Sequence, residues 1–102
     1  MAAYIKVANA VDLQPGQAKL VEAGDQRVAL FNVDGTCYAI SDTCTHRGGP
    51  LSEGTLEHDV VTCPLHHARF CVRNGEVQGP PAQQSVTSYP VRVTDGRIEI
   101  EY

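Results

Sequence analysis

Four side chains that can bind a soft or borderline metal stand in two short stretches of this sequence. Residues 44–46 read Cys-Thr-His, residues 63–66 read Cys-Pro-Leu-His, and sixteen residues separate the two stretches. Two cysteines and two histidines are the ligand set of a [2Fe–2S] centre in which imidazoles replace the two thiolates on one iron. The pattern therefore predicts an electron-carrying metal centre held by Cys44, His46, Cys63 and His66.

A structural zinc ion is the alternative for the same four residues, because zinc accepts two cysteines and two histidines in a tetrahedral site. Zinc modules, however, usually pair two cysteines in one arm and two histidines in the other. Here each arm mixes the two types. We therefore favour iron and sulfide, and keep a zinc-stabilised interaction module as a competing hypothesis.

The residues around the two arms suit a backbone that must turn sharply. Gly48, Gly49 and Pro50 follow the first arm and supply permissive and fixed backbone angles. Pro64, inside the second arm, has no N–H to leave unsatisfied and restrains Cys63 to an extended conformation. Both arms can thus aim their ligands from short loops.

Length and composition bound the class of protein. The 102 residues, 42% hydrophobic and 20% charged, predict a single globular domain over residues 1–102 with one core and no second catalytic domain. The net charge of −4 and the lack of a basic run argue against nucleic acid as a partner. No apolar stretch is long enough to cross a membrane and the start does not resemble a secretory signal, so we expect a cytoplasmic protein. We also expect it to be a monomer.

Short strands and tight turns dominate the rest of the chain. Two Asp-Gly pairs, Asp34-Gly35 and Asp95-Gly96, each lie between alternating or apolar runs and predict hairpins with primed turns. In the last strand, Ile98 and Ile100 should face inward. Further strands are expected over residues 4–8, 17–23, 26–33, 36–41, 56–62, 69–73, 89–94 and 97–102, with one capped helical turn over 9–13.

These elements predict an all-β fold. We expect an antiparallel β barrel or sandwich as the base, with a small cluster-binding subdomain over residues 42–81 inserted between the hairpins. Cys37 and Cys71 lie in strand-like segments outside the two arms and are expected to pack as small hydrophobes. His58 is expected on an exposed turn with no role in the metal centre.

The two arms, Pro80-Pro81 and the flanking strands resemble the Rieske ferredoxin family over nearly the whole chain. The run from Cys63 to Pro81, CPLHHARFCVRNGEVQGPP, is most similar to the small ferredoxins of bacterial aromatic-ring dioxygenase systems, such as those acting on biphenyl, benzene or toluene. The resemblance implies an electron carrier rather than an enzyme. It would take single electrons from an NADH-dependent flavin reductase and pass them to a terminal oxygenase.

The same resemblance implies roles for individual residues. Cys44 and Cys63 would bind one iron of a single [2Fe–2S] cluster, while His46 and His66 would bind the other and form the docking end for partners. A third loop around Pro80 and Pro81 would cover the cluster. The remaining residues expected around the cluster are Arg47, Gly48, Leu65, His67, Ala68 and Phe70.

A low reduction potential is expected from what the cluster surroundings lack. High-potential relatives carry a disulfide at the positions of Gly49 and Leu65, and Ser and Tyr hydroxyls at those of Ala68 and Phe70. Hydrogen bonds to sulfur stabilise the more negative reduced cluster, so their loss shifts the potential toward the low end of the range of about −150 to +300 mV for Rieske centres.

The roles of two residues beside the proposed ligands, His67 and Arg47, stay open. His67 is expected to be a solvated imidazole that points away from iron, although it could modulate the potential or a partner contact. Arg47 could place positive charge near the cluster, serve docking or only be solvated.

The principal competing function is that of the small subunit of an NADH-dependent nitrite reductase, because that subunit resembles the same fold and has a comparable length.

Overall fold

Eleven short strands form the fold in a computed structural model that describes residues 4–24, 26–43, 50–64, 68–79 and 85–101. No α-helix occurs in these ranges, and two 3₁₀ turns, Ala10–Asp12 and Leu51–Glu53, are the helical elements. The strands are β1 (Tyr4–Asn9), β2 (Ala18–Ala23), β3 (Gln26–Val33), β4 (Thr36–Ser41), β5 (Thr55–Glu57), β6 (Val60–Thr62), β7 (Arg69–Cys71), β8 (Val77–Gly79), β9 (Ser88–Tyr89), β10 (Val91–Thr94) and β11 (Arg97–Glu101).

Three antiparallel sheets organise the strands. Their orders are β1-β11-β10, β2-β3-β4-β9 and β5-β6-β7-β8. The expectation of an antiparallel all-β fold is confirmed. The segment expected as one stretch over 56–62 forms two strands, because His58 turns the chain at a left-handed φ of 56°.

Strand β3 of the central sheet is buried on both faces. Successive residues of this strand point to opposite sides, so Val28 and Leu30 join one apolar cluster while Ala29, Phe31 and Val33 join another. The first cluster fills the space toward β1 and β11, where Ile98 and Ile100 are fully buried as expected. The second fills the space toward the small sheet β5-β6-β7-β8.

Both Asp-Gly hairpins form as the sequence predicts. Asp34 and Gly35 have φ of 52° and 95°, and Asp95 and Gly96 have φ of 52° and 74°. Positive φ at both central residues is the geometry whose twist matches that of paired strands. The register Val33↔Thr36 and Thr94↔Arg97 follows directly from these two-residue turns.

The first 3₁₀ turn is held differently from the expectation. Asn9 precedes it but makes no side-chain capping hydrogen bond, so the predicted cap is wrong. Instead the buried amide of Asn32 reaches across, donating to the Leu13 carbonyl at 2.8 Å and accepting from the Gly35 N–H at 2.8 Å. One buried side chain thus ties the turn to the β3–β4 hairpin.

A cation links the small sheet to the central one. The Arg73 guanidinium lies 3.0 Å from the Asp59 carboxylate and 5.7 Å from the centroid of the Tyr38 ring on β4. The ion pair is half-exposed, so it contributes little to stability. Its geometry nevertheless joins the β5–β6 turn, the β7–β8 turn and β4 at the end of the small sheet away from Cys63.

Candidate metal centre

One backbone hydrogen bond joins the residues on the two sides of segment 65–67. The backbone N–H of Cys63, directly after β6, donates to the carbonyl oxygen of Ala68 at 2.7 Å. Both residues are fully buried, and Ala68 leads into β7. Because β6 and β7 are antiparallel neighbours, this bond continues their pairing to the described residues on the two sides of 65–67.

Two backbone contacts join the residues that flank the first arm. Thr43 and Pro50 form an antiparallel bridge, and the N–H of Leu51 donates to the Asp42 carbonyl at 2.7 Å. The described residues that flank 44–49 are therefore held side by side. Leu51 is fully buried and secures these residues to the apolar cluster beneath.

Asp42 is a buried carboxylate that supports this first set of contacts. Its side chain, 2% exposed as a residue, accepts a hydrogen bond from the N–H of Ser52 at 2.8 Å. Its own backbone N–H donates to the Arg27 carbonyl at 3.0 Å. Sequence reasoning placed Asp42 only as the first residue of an insert. A lone Asp before a Cys carries no signal that distinguishes such an anchor from a solvated loop residue.

A third set of contacts joins the described residues on the two sides of Pro80 and Pro81. The N–H of Val86 donates to the Gly75 carbonyl at 2.9 Å, and the N–H of Val77 donates to the Ser85 hydroxyl at 3.1 Å. Gly75 is required here, because its φ is +77° and a Cβ would collide with the Val86 carbonyl oxygen. Two hydrogen bonds thus connect the described residues that precede and follow 80–84.

One apolar cluster carries all three sets of contacts. Leu51 after the first arm, Cys63 and Ala68 around the second, and Val86 after the third segment belong to the same buried group. Phe70 and Val72, both fully buried, lie in it as well. The described residues that flank the three segments therefore pack in one apolar cluster, the floor, and converging ligands need such a common support.

Most of the predicted site residues lie outside the described residues. Those within them are Cys63, Ala68 and Phe70, all of them buried in the floor. The described part of the chain contains no group of three or more His, Cys, Asp and Glu side chains placed to hold a metal. The site residues outside the described ranges are Cys44, His46, Arg47, Gly48, Leu65, His66, His67, Pro80 and Pro81.

The described surroundings fit a thiolate-bound cluster. The Cys63 side chain is fully buried among apolar neighbours, which exclude water from any metal bound to its sulfur. Ala68 and Phe70 carry no hydroxyl that could donate to sulfur. Cys37, by contrast, packs at the edge of the other cluster, and burial raises the pKa of its thiol. A thiol that keeps its proton is a poor ligand.

A cleft is lined by Gly16, Asn32, Val33, Asp34, Leu56 and His58. Val33 belongs to the floor cluster and Leu56 packs against it. His58 is exposed there, as expected. Within the described residues, no helix is long and apolar enough to span a membrane.

Comparison with known proteins shows what the chain is similar to. The family described as Rieske [2Fe-2S] domain matches residues 3–90. The biphenyl dioxygenase ferredoxin subunit of Pseudomonas sp. (strain KKS102) is 40% identical over 100 residues, covering 97% of this chain and 92% of its own length. The 3-phenylpropionate/cinnamic acid dioxygenase ferredoxin subunit of Escherichia coli (strain K12) is 44% identical over 91 residues, covering 88% of this chain and 85% of its own.

Solved structures agree with these relatives. A chain in the complex of reduced oxygenase and oxidized ferredoxin of carbazole 1,9a-dioxygenase superposes with a TM-score of 0.90 at 37% identity, covering 95% of this chain and 91% of that one. A protein assigned as the small subunit of an NADH-dependent nitrite reductase from Mycobacterium tuberculosis gives 0.89 at 27% identity, covering 100% and 96%. With the family matched over most of its length, the chain belongs to the Rieske [2Fe-2S] domain family and carries one Rieske-type [2Fe–2S] cluster.

Proposed function

We propose that this chain is the ferredoxin component of a bacterial aromatic-ring dioxygenase system. It would accept single electrons from an NADH-dependent flavin reductase and deliver them to a terminal oxygenase, without catalysing the oxygenation itself. The observation that carries the proposal is the near full-length similarity to two proteins named as dioxygenase ferredoxin subunits. The oxygenase as acceptor is supported by the similarity to a ferredoxin in complex with an oxygenase.

The proposed ligands are Cys44 and Cys63 on one iron and His46 and His66 on the other. When bound, the cluster supplies a one-electron couple that needs no bond breaking in the protein. The chain's own contribution is to hold that group rigidly: Cys63 sits in a buried floor, and the bases of segments 44–49 and 65–67 are closed by backbone contacts. The histidine side of the centre would be the docking end.

The proposal extends to the organisation of the chain. Residues 1–102 would form one domain, in which residues 42–81 act as the cluster-binding subdomain on the base formed by the other two sheets. The small sheet β5-β6-β7-β8 falls within that range and supports this division. We further propose that the protein acts as a monomer in the cytoplasm.

A nitrite reductase small subunit is the second candidate function, supported by a structure of the same fold and similar length. Its identity, 27%, is lower than the 40% to the biphenyl dioxygenase ferredoxin subunit. The genes beside this one distinguish the two: a ring-hydroxylating oxygenase with a flavin reductase supports the first function, and a large sirohaem reductase supports the second.

Reconstitution tests the proposal directly. The purified, cluster-loaded chain is mixed with NADH and the reductase and terminal oxygenase of a biphenyl dioxygenase system, and dihydrodiol formation is measured. We expect product only when the chain is present, and none with the Cys63→Ala variant. Efficient reduction by a nitrite reductase system, with no transfer to any aromatic-ring oxygenase, would reverse the assignment. A colourless protein that contains zinc would remove the redox function altogether.

A further inference from the structure

The outer face of the small sheet carries one row of hydrogen-bond donors beside the cluster floor. Thr55 on β5, Thr62 on β6 and Arg69 on β7 are successive cross-strand partners. The residues next to them along each strand point to the core: Leu56, Val61 and Phe70. Thr55, Thr62 and Arg69 therefore point away from the core. We call Thr55, Thr62 and Arg69 the donor row.

The donor row lies at the cluster end of the sheet. Thr62 directly precedes Cys63, and Arg69 directly follows Ala68, the two residues whose hydrogen bond closes the second arm. The ladder between β7 and β8 also shifts register between Arg69 and Phe70. The extra residue lies on β8, and such bulges are frequent beside functional sites. Arg69 therefore stands next to the electron-transfer centre without belonging to its ligand set.

Arg69 differs in its partners from three of the four other arginines that the structure describes, while Arg27 likewise has no ion pair there. Arg73, Arg92 and Arg97 each face a carboxylate at 3.0, 2.6 and 3.9 Å. Arg69 is exposed, and the described residues provide it with no ion pair. Glu57 lies on the same face but two strands across and two residues along, about 12 Å away by sheet spacing, which exceeds the screening length of about 10 Å at 0.1 M salt.

The unpaired guanidinium does not create a broad positive field. The molecule has a net charge of −4, and Glu53 before β5 is an exposed carboxylate near the same end. Recognition must then be local, and a guanidinium is suited to it, because its planar fork binds a carboxylate through two parallel hydrogen bonds. Threonine hydroxyls in the same row can donate to a neighbouring acceptor.

We propose that the donor row is a docking surface on which Arg69 binds a carboxylate of the terminal oxygenase during electron transfer. This inference rests on the proposed function, since the oxygenase is the partner that function requires. Arg69 would orient the partner at the cluster end of the small sheet. It is a positioning residue, because it contacts the partner protein and neither the cluster nor the reacting atoms.

Stopped-flow oxidation of the reduced holoprotein tests this docking. Four proteins are compared: wild type, Arg69→Gln, Arg69→Lys, and Arg97→Gln as the matched control. Arg97 starts β11 beside the Asp95-Gly96 turn, and its loss changes the net charge by the same amount. The oxidant is the terminal oxygenase of a biphenyl dioxygenase system at low and high salt. A second series uses ferricyanide and a cationic cobalt(III) complex.

We expect the second-order rate constant for the oxygenase to fall about three- to tenfold in Arg69→Gln at low salt and to converge with wild type at high salt. Arg69→Lys should fall less, because it keeps the charge and loses only the fork. Arg97→Gln should stay within about twofold of wild type. The midpoint potential and the electron-paramagnetic-resonance spectrum should be unchanged in all variants, which separates docking from damage to the cluster.

An Arg69→Gln protein that reacts with the oxygenase within about twofold of wild type at every salt concentration overturns the proposal, as does an equal loss in Arg97→Gln. If the wild type reduces neither this oxygenase nor any other aromatic-ring oxygenase, the proposed function fails. The second series tests where Arg69 lies, through the ratio of the oxidation rate with ferricyanide to that with the cobalt(III) complex. A threefold or larger fall of this ratio in Arg69→Gln supports a position of Arg69 beside the electron exit. An unchanged ratio overturns that position.

Discussion

The backbone N–H of Cys63 lies 2.7 Å from the carbonyl oxygen of Ala68, and this single hydrogen bond closes the base of the second ligand arm. Both residues are fully buried in the floor that also holds Leu51 and Val86. The position of the Cys63 sulfur is therefore set by the strands β6 and β7 rather than by the arm itself. Replacing the sulfur should remove a ligand and leave the scaffold intact.

The Cys63→Ala variant should lose the cluster. A truncated side chain cannot supply the thiolate, and three ligands do not hold a binuclear core. The measurement is iron and sulfide content, together with visible absorption. Cys37→Ala is the matched control, because Cys37 packs against the other apolar cluster and its raised pKa disfavours the thiolate. Full iron in Cys63→Ala, or iron loss in both variants, would contradict the assignment of Cys63 as a ligand.

The midpoint potential of the wild type should lie below that of the standard hydrogen electrode, and Ala68→Ser should raise it. Ala68 is fully buried in the same cluster as Cys63 and offers no hydroxyl. A new hydrogen bond to sulfur that is about 1 kcal/mol stronger in the reduced than in the oxidised cluster raises the potential by about 40 mV for a one-electron couple. Protein-film voltammetry measures both values.

Ala39→Ser controls for burying a hydroxyl elsewhere. Ala39 is 2% exposed but belongs to the cluster between the other two sheets. Its substitution should cost stability and leave the potential within about 10 mV of wild type, a shift worth only about 0.2 kcal/mol. Equal shifts in the two variants would show that the potential does not depend on donors near Cys63.

Gly75→Ala should be strongly destabilising. Gly75 has φ of +77°, and an added Cβ would meet the Val86 carbonyl oxygen, so both conformational strain and a backbone collision oppose the change. We expect a loss of about 2–4 kcal/mol in the free energy of unfolding. Gly35→Ala, at φ of +95° with open space around it, should lose only about 1–2 kcal/mol. Guanidinium titrations of the holoproteins followed by circular dichroism test the difference, and equal losses would contradict it.

The sequence predicts the local elements well because their signals are local. Asp34-Gly35 and Asp95-Gly96 specify their own turns, and Ile98 and Ile100 alternate with charged residues along one strand. The double burial of β3 could not be predicted in this way. The run from Val28 to Val33 is compatible with one buried face or two, and only the presence of a third sheet decides between them.

Buried polar anchors were also missed, and for a different reason. Asn32 and Asp42 satisfy backbone groups that are distant in the chain, Leu13 for the former and Ser52 for the latter. Nothing near them in sequence signals those partners. The pattern that predicts the metal centre, in contrast, is a short and specific combination of residue types. The chemistry of the site is thus easier to read from the sequence than the contacts that hold its bases in place.

Stability should decrease as pH rises above about 9. Burial raises the pKa of the Cys37 thiol above its ordinary 9.0 and that of the Tyr89 phenol above its ordinary 10.0. Both groups are neutral when protonated, so between the unfolded and folded pKa values the folded state binds more protons than the unfolded state. The free energy of unfolding then falls with pH. The contribution is fully present below the unfolded pKa and is lost as pH rises through the folded pKa.

Comparison of wild type with Cys37→Ala isolates the first of these two groups. Guanidinium unfolding of both holoproteins is measured from pH 7 to about pH 10.5. The difference in unfolding free energy between them should be constant up to about pH 8, one unit below the ordinary thiol pKa of 9.0, and should shrink above it. The ligand cysteines contribute equally to both proteins and cancel in the difference. A difference that grows with pH would mean that the folded state favours the Cys37 thiolate, contrary to the effect of its burial.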